Sequence, residues 1–98
     1  ATISFDQQIT VTPDTLINQV GEESVLLNLG SEKYFGLDEI GTRMWLALTA
    51  NATIQQAYES LLGEYEVEGD VLRQDLSDLL EKLTANGLIE IKQEGPQE

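Results

Sequence analysis

The sequence predicts an α+β fold, a three-stranded antiparallel sheet followed by three helices. Two observations carry this. Between residues 15 and 37, short apolar runs alternate with a period of two and are separated by turn signals, as strands require. From residue 38 onward the period lengthens to 3.6 through three stripes, as helices packed on one face of a small sheet require.

The elements follow in order. Ala1–Pro13 is mixed, with Ile3, Phe5, Ile9 and Val11 at odd positions, and admits a short strand before the turn at Thr12-Pro13-Asp14. Thr15–Val20 is the first strand of the sheet, bounded by Pro13 and Gly21. Ser24–Leu29 is the second, and alternation puts Val25, Leu27 and Leu29 on one face without saying which face is inward. Gly30-Ser31 reads as a turn, and Lys33–Leu37 is a short aromatic third strand. Short connections make the three an antiparallel meander.

Asp38 suits a helix N-cap, because its carboxylate accepts an orphan backbone N–H. The first helix, Glu39–Thr49, carries Ile40, Met44, Trp45 and Leu48 on one face. Asn51-Ala52 breaks it, and Thr53 caps a second helix with the stripe Ile54, Ala57, Tyr58, Leu61 and Leu62, ended by Gly63. The third helix, about Glu68–Asn86, carries Leu72, Leu76, Leu79 and Leu83, flanked by Val71 and Leu80. Gly87 suits its left-handed C-terminal stop. Leu88–Lys92 is expected as a last short strand or wing, so the layout resembles a winged helix-turn-helix. Residues 1–92 are expected to form one domain and the polar stretch 93–98, with Pro96, a frayed tail.

Composition narrows the function. The net charge is -13, from 18 acidic and 5 basic residues, and Lys33, Arg43, Arg73, Lys82 and Lys92 are scattered. Nucleic-acid binding needs a basic stripe to neutralise phosphates. The third helix, which would read DNA in a winged helix, instead carries Glu68, Asp70, Asp75, Asp78 and Glu81 against Arg73 and Lys82. An anionic membrane surface is disfavoured by the same field, and no apolar run is long enough to span a bilayer. Residues 1–12 have neither a basic start nor an apolar stretch, so no signal peptide is expected. The chain has no cysteine and no histidine, which removes disulfides, thiolate chemistry, imidazole catalysis and sulfur- or nitrogen-ligated zinc. A cytoplasmic location is the expectation. No cofactor is expected.

The sequence offers five candidate sites, of which the first, DNA reading by the third helix, fails on charge. Glu64 to Asp75 imitates a calcium loop, with Gly69 at its sixth position and Asp75 at its twelfth. Its early residues are Glu where Asp or Asn is usual, and its last is Asp where the longer Glu is needed. An acidic first helical turn explains the same residues. Carboxylate catalysis finds no apolar pocket to raise a pKa, no glycine-rich phosphate loop and no nucleophile elbow. Two sites remain. If Lys33–Leu37 is an edge strand, its free backbone groups can pair with an extended peptide, with Tyr34 and Phe35 on opposite faces. Beside it, Val71, Asp75, Asp78 and Lys82 line one flank of the third-helix leucine stripe. A groove between the two would have apolar walls and a few charges.

The run Tyr34-Phe35-Gly36-Leu37-Asp38-Glu39-Ile40-Gly41-Thr42-Arg43-Met44-Trp45 resembles the PqqD-like family, with its aromatic pair, Leu-Asp, Gly and Met before Trp. Tyr65-Glu66-Val67, Val71, Asp75, Leu79-Leu80, Leu83 and Gly87-Leu88-Ile89 are similar to it as well, so the match spans about Asp14–Ile91. The resemblance implies a recognition element for the precursors of ribosomally made, modified peptides. In that family the precursor's leader adds as a strand beside the third strand and lies against the third helix. Carried over, the peptide-binding residues are Glu32, Lys33, Tyr34, Phe35 and Gly36 on the strand, and Val71, Leu72, Asp75, Leu76 and Leu79 on the helix.

The resemblance further implies that the chain is not an enzyme and delivers its precursor to others. Freestanding copies of this size are similar to those of lasso-peptide pathways, where the partners are a leader peptidase and a cyclase. The alternative is a chaperone for a radical-SAM enzyme, as in pyrroloquinoline quinone synthesis. The negative charge exceeds what the family pattern requires. An open strand edge also admits self-pairing, so the expected state is a monomer or weak homodimer.

Overall fold

The computed structural model describes residues 4–64 and 66–92. Eight elements run in the order β1 (Gln8–Val11), β2 (Thr15–Val20), β3 (Glu23–Asn28), β4 (Lys33–Leu37), α1 (Glu39–Ala50), α2 (Ile54–Glu64), α3 (Gly69–Ala85) and β5 (Ile89–Lys92). The α+β class and the meander are as the sequence predicts: β2, β3 and β4 form an antiparallel sheet in that order, followed by three helices. The short strand before Pro13 and the wing after α3 pair with each other as a separate antiparallel ribbon, Ile9 opposite Ile91 and Val11 opposite Ile89. The expected tail, residues 93–98, lies outside the described residues.

α1 and α2 begin where their capping chemistry requires, whereas Glu68 at the start of α3 makes no side-chain cap bond. Asp38 accepts the Gly41 N–H at 2.8 Å, and Thr53 Oγ1 accepts the Gln56 N–H at 3.1 Å. The start of α2 is completed from the N-terminal segment: Ile54 and Gln55 donate their N–H groups to the carbonyls of Gln7 and Phe5. At the far end of α3, Gly87 takes the left-handed conformation at φ 72°.

The core lies between the sheet and the helices. Leu26 is the central sheet residue in it, and Trp45, Leu48, Ile54, Leu61, Leu76, Leu80 and Leu83 supply the helical side. Each such side chain contributes about 1.5–3 kcal/mol by leaving water. Val25 and Leu27 are on the opposite, outward face. The inward positions flanking Leu26 are polar, Ser24 and Asn28, and both are used in hydrogen bonds. Asn28 accepts the N–H groups of Gly30 and Ser31 and donates to the carbonyls of Asn86 and Gly87. One side chain thus shapes the β3–β4 turn and ties it to the end of α3. The left-handed residue of that turn is Glu32, at φ 60°, not the glycine.

At the other end of α3, Tyr58 donates its hydroxyl proton to the Gly69 carbonyl at 3.2 Å. The Arg73 guanidinium stands 4.3 Å from the centre of the Phe5 ring and 4.8 Å from that of Tyr58. Both ends of α3 are therefore held, which fixes its position relative to β4.

Candidate functional site: a groove between the edge strand and the third helix

Among the described residues β4 is an edge strand, paired with β3 on one side only. Its other side opens onto a groove of about 430 Å³. Phe35, Gly36 and Leu37 form the strand wall, and Asp75, Asp78, Leu79 and Lys82 of α3 form the facing wall. Ile40, Gly41 and Met44 of α1 make the floor, with Asp38 at one end. A second, smaller cavity of about 60 Å³ is lined by Ile40, Met44, Leu61, Val67, Val71, Leu72 and Asp75. Ile40, Met44 and Asp75 line both, so the small cavity is an apolar annex of the groove.

The predicted site residues fall into three groups. Phe35, Gly36, Asp75 and Leu79 line the groove, and Val71, Leu72 and Asp75 line the annex. Glu32, Lys33 and Tyr34 do not line either. Glu32 is in the turn before β4, Lys33 opens the strand, and Tyr34 points from the opposite face of the sheet with 73% of its surface exposed. Leu76 is fully buried and lines neither cavity, so it supports the groove from beneath and offers no surface to a ligand. The periodicity explains this: Leu76 is at the centre of the stripe, and only the flank of α3 faces β4.

The floor was not legible as part of the site. Ile40 and Met44 read as an ordinary core stripe, yet Ile40 is 46% exposed. The available signal was the Asp38 N-cap immediately after the edge strand, which forces the first turn of α1 to start beside the groove.

Polar groups in the groove are mainly acidic: Asp38, Asp75 and Asp78 against Lys82. Asp38 is occupied by its cap, and Asp78 accepts a hydrogen bond from Gln74 at 2.9 Å. Near the start of α1, the Glu39 carboxyl titrates above the usual value near 4.5 because Glu22 shares a hydrogen bond with it and repels its charge; Arg43 partly opposes this. Among the described residues no group of three or more Asp and Glu side chains is arranged to hold a metal ion. The acidic link before α3 is accounted for by helix entry: Asp70 lies in the first turn. No helix among the described residues is long and apolar enough to cross a membrane.

What the groove can do follows from its parts. An edge strand supplies backbone donors and acceptors to an extended chain, and alternate side chains of that chain then point into the groove. The annex accepts an apolar side chain, and the carboxylates favour a basic neighbour.

Comparison with known proteins reaches the same elements. The model of the family described as Coenzyme PQQ synthesis protein D (PqqD) matches residues 23–89, from the start of β3 to the start of β5. Among solved structures, TbiB1 in complex with the TbiA(beta) leader peptide is 28% identical, with a TM-score of 0.75 over 90% of this chain and 98% of that one. Lasso peptide synthetase B1 complexed with the leader peptide is 24% identical, with a TM-score of 0.75 over 85% of this chain and 98% of that one, and shares the fold. No curated protein matches the chain.

Proposed function

This chain belongs to the PqqD family, and from that premise we propose that it binds the leader segment of a ribosomally made precursor peptide and delivers it to maturation enzymes. The single observation that carries the reading is the groove itself. An unpaired strand edge and an apolar-floored helix flank face each other across about 430 Å³. The leader pairs its backbone along Lys33–Leu37, seats an apolar side chain in the annex of Val71 and Leu72, and places polar groups against Asp75. Glu32 and Lys33, at the entrance to β4, contact the leader's flanks. Leu76 serves only to support Leu72 and Leu79.

The partners in this reading are the leader, a leader peptidase and, downstream, a cyclase, as in lasso-peptide synthesis. The neighbour with the TbiA(beta) leader bound supports the leader as the first of these partners. The family's description names coenzyme PQQ synthesis, and the second reading is presentation of a precursor to a radical-SAM enzyme there. In both, this chain breaks no bond. It raises the local concentration of the precursor at its enzyme.

Calorimetric titration with the leader encoded beside this chain tests the reading. Saturable 1:1 binding, weakened by Phe35→Ala and by Asp75→Arg, is the expected result. Unchanged affinity in both variants contradicts the groove model.

A further inference from the structure

The outward face of the sheet is a second apolar surface, distinct from the groove. Register puts Leu16, Leu27 and Tyr34 in one row across β2, β3 and β4, and Asn18, Val25 and Gly36 in the next. Leu16 is 52% exposed, and a shallow cavity of about 560 Å³ opens over Leu16, Ile17, Asn18, Val25, Leu27 and Tyr34. The chain's polarity is inverted here: on β3 the inward neighbours of Leu26 are Ser24 and Asn28, while Val25 and Leu27 point out. Neither row holds a charged residue, and Glu23 pairs with Val20 beyond them, at the corner of the sheet. Charge gathers instead at the rim, with Glu23 at one end and Asp14 and Glu32, beside the single cation Lys33, at the other, all exposed.

From this face we infer that the enzyme acting on the bound precursor docks on the outer surface of the β2–β3–β4 sheet, through an apolar patch rimmed by basic residues. Two arguments select that occupant. The first is charge: a second copy would bring Glu23, Asp14 and Glu32, offset only by Lys33, against an identical net-acidic rim, within a pair of chains each carrying -13. A partner with a basic rim is attracted by the same residues. The second is continuity. A peptide strand added beside β4 extends the sheet, and every other one of its side chains continues the row that starts at Tyr34. An enzyme seated on this face therefore touches recognition domain and peptide together, and binds the loaded form more tightly than the empty one. This inference rests on the leader-binding reading of the groove.

The test uses the double variant Leu16→Gln, Val25→Thr, which keeps strand-compatible residues and leaves the groove untouched. The probe is the purified leader peptidase encoded beside this chain, assayed by sedimentation with and without leader and by the leader-cleavage rate. The expected result is leader affinity within about twofold of wild type, peptidase affinity reduced by about tenfold or more, and cleavage slowed to match at limiting peptidase. Wild-type peptidase affinity is also expected to rise when leader is present and to fall as NaCl is raised from about 50 to about 300 mM. Unchanged peptidase binding by the double variant overturns the inference while leaving the leader-binding reading intact. Loss of leader binding in the wild type overturns that reading first. A concentration-dependent homodimer dispersed by the same two substitutions assigns the face to a second copy and also overturns the inference.

Discussion

Ser24 and Thr42 share a buried hydrogen bond of 2.7 Å between the middle strand of the sheet and the first turn of α1. Thr42 Oγ1 also approaches the Leu37 carbonyl at 3.4 Å, at the junction between β4 and α1. The pair holds the floor of the groove to its strand wall. Ser24→Ala leaves the threonine hydroxyl with only its long contact to the Leu37 carbonyl and is expected to cost about 1–3 kcal/mol in urea unfolding. Adding Thr42→Val removes the poorly satisfied hydroxyl altogether, so the double variant is expected to lose less than the sum of the two single changes. A double variant that loses the sum of both single changes contradicts this coupling.

Gly69 opens α3 directly beneath Tyr58. A Cβ at position 69 would sit 2.7 Å from the tyrosine hydroxyl oxygen, so the ring, held by its bond to the Gly69 carbonyl and by Arg73, would have to shift. Gly69→Ala is therefore expected to destabilise the wild type despite the better helix propensity of alanine. In a Tyr58→Phe background the same change meets no hydroxyl and is expected to stabilise, by up to ~1 kcal/mol. Thermal unfolding of the four proteins checks the change of sign.

The Glu22–Glu39 contact makes a pH prediction. The Glu39 carboxyl is held above its ordinary value, so the folded state binds its proton more tightly than the unfolded chain does. The contribution to stability is complete below the usual value near 4.5 and is lost as pH rises through the elevated folded value. Glu22→Gln is expected to raise the melting temperature at pH 7, with the gain shrinking toward zero as pH falls below about 4.5. A gain that persists unchanged at low pH rules out the contact as its source.

Within the groove, Asp75 and Leu76 separate binding from folding although they are adjacent. Asp75 is exposed and lines both cavities, whereas Leu76 is fully buried. Asp75→Arg is expected to weaken leader binding about tenfold, ~1.4 kcal/mol, with unfolding stability within about 0.5 kcal/mol of wild type. Leu76→Ala is expected to cost about 2–5 kcal/mol of stability, and to affect binding only through that loss. Calorimetry and denaturant unfolding on the same two proteins distinguish them.

The balance of what was legible follows from the kind of signal each element carries. Helix entries were readable because Asp38 and Thr53 are caps with one function, and both hydrogen bonds are made. The groove's facing walls were readable because strand alternation and the α3 flank are local patterns. Alternation says that Val25 and Leu27 share a face, but a period of two is symmetric. Here it is the polar pair Ser24 and Asn28 that points inward, satisfied by Thr42, Asn86 and Gly87. The β1–β5 ribbon joins residues about eighty positions apart, beyond any local pattern. The α1 floor escaped notice because Ile40 and Met44 serve core and groove with one stripe.

The measurement closest to the central claim is a nuclear magnetic resonance titration of the labelled chain with its leader peptide, read together with amide hydrogen exchange. Leader pairing along β4 predicts new protection at alternate amides of Lys33–Leu37 and shifts at Val71, Asp75 and Leu79, while the buried amides around Leu76 and Leu80 exchange as before. Leader binding that leaves β4 unprotected, or shifts confined to the outward face around Leu16 and Val25, would contradict it.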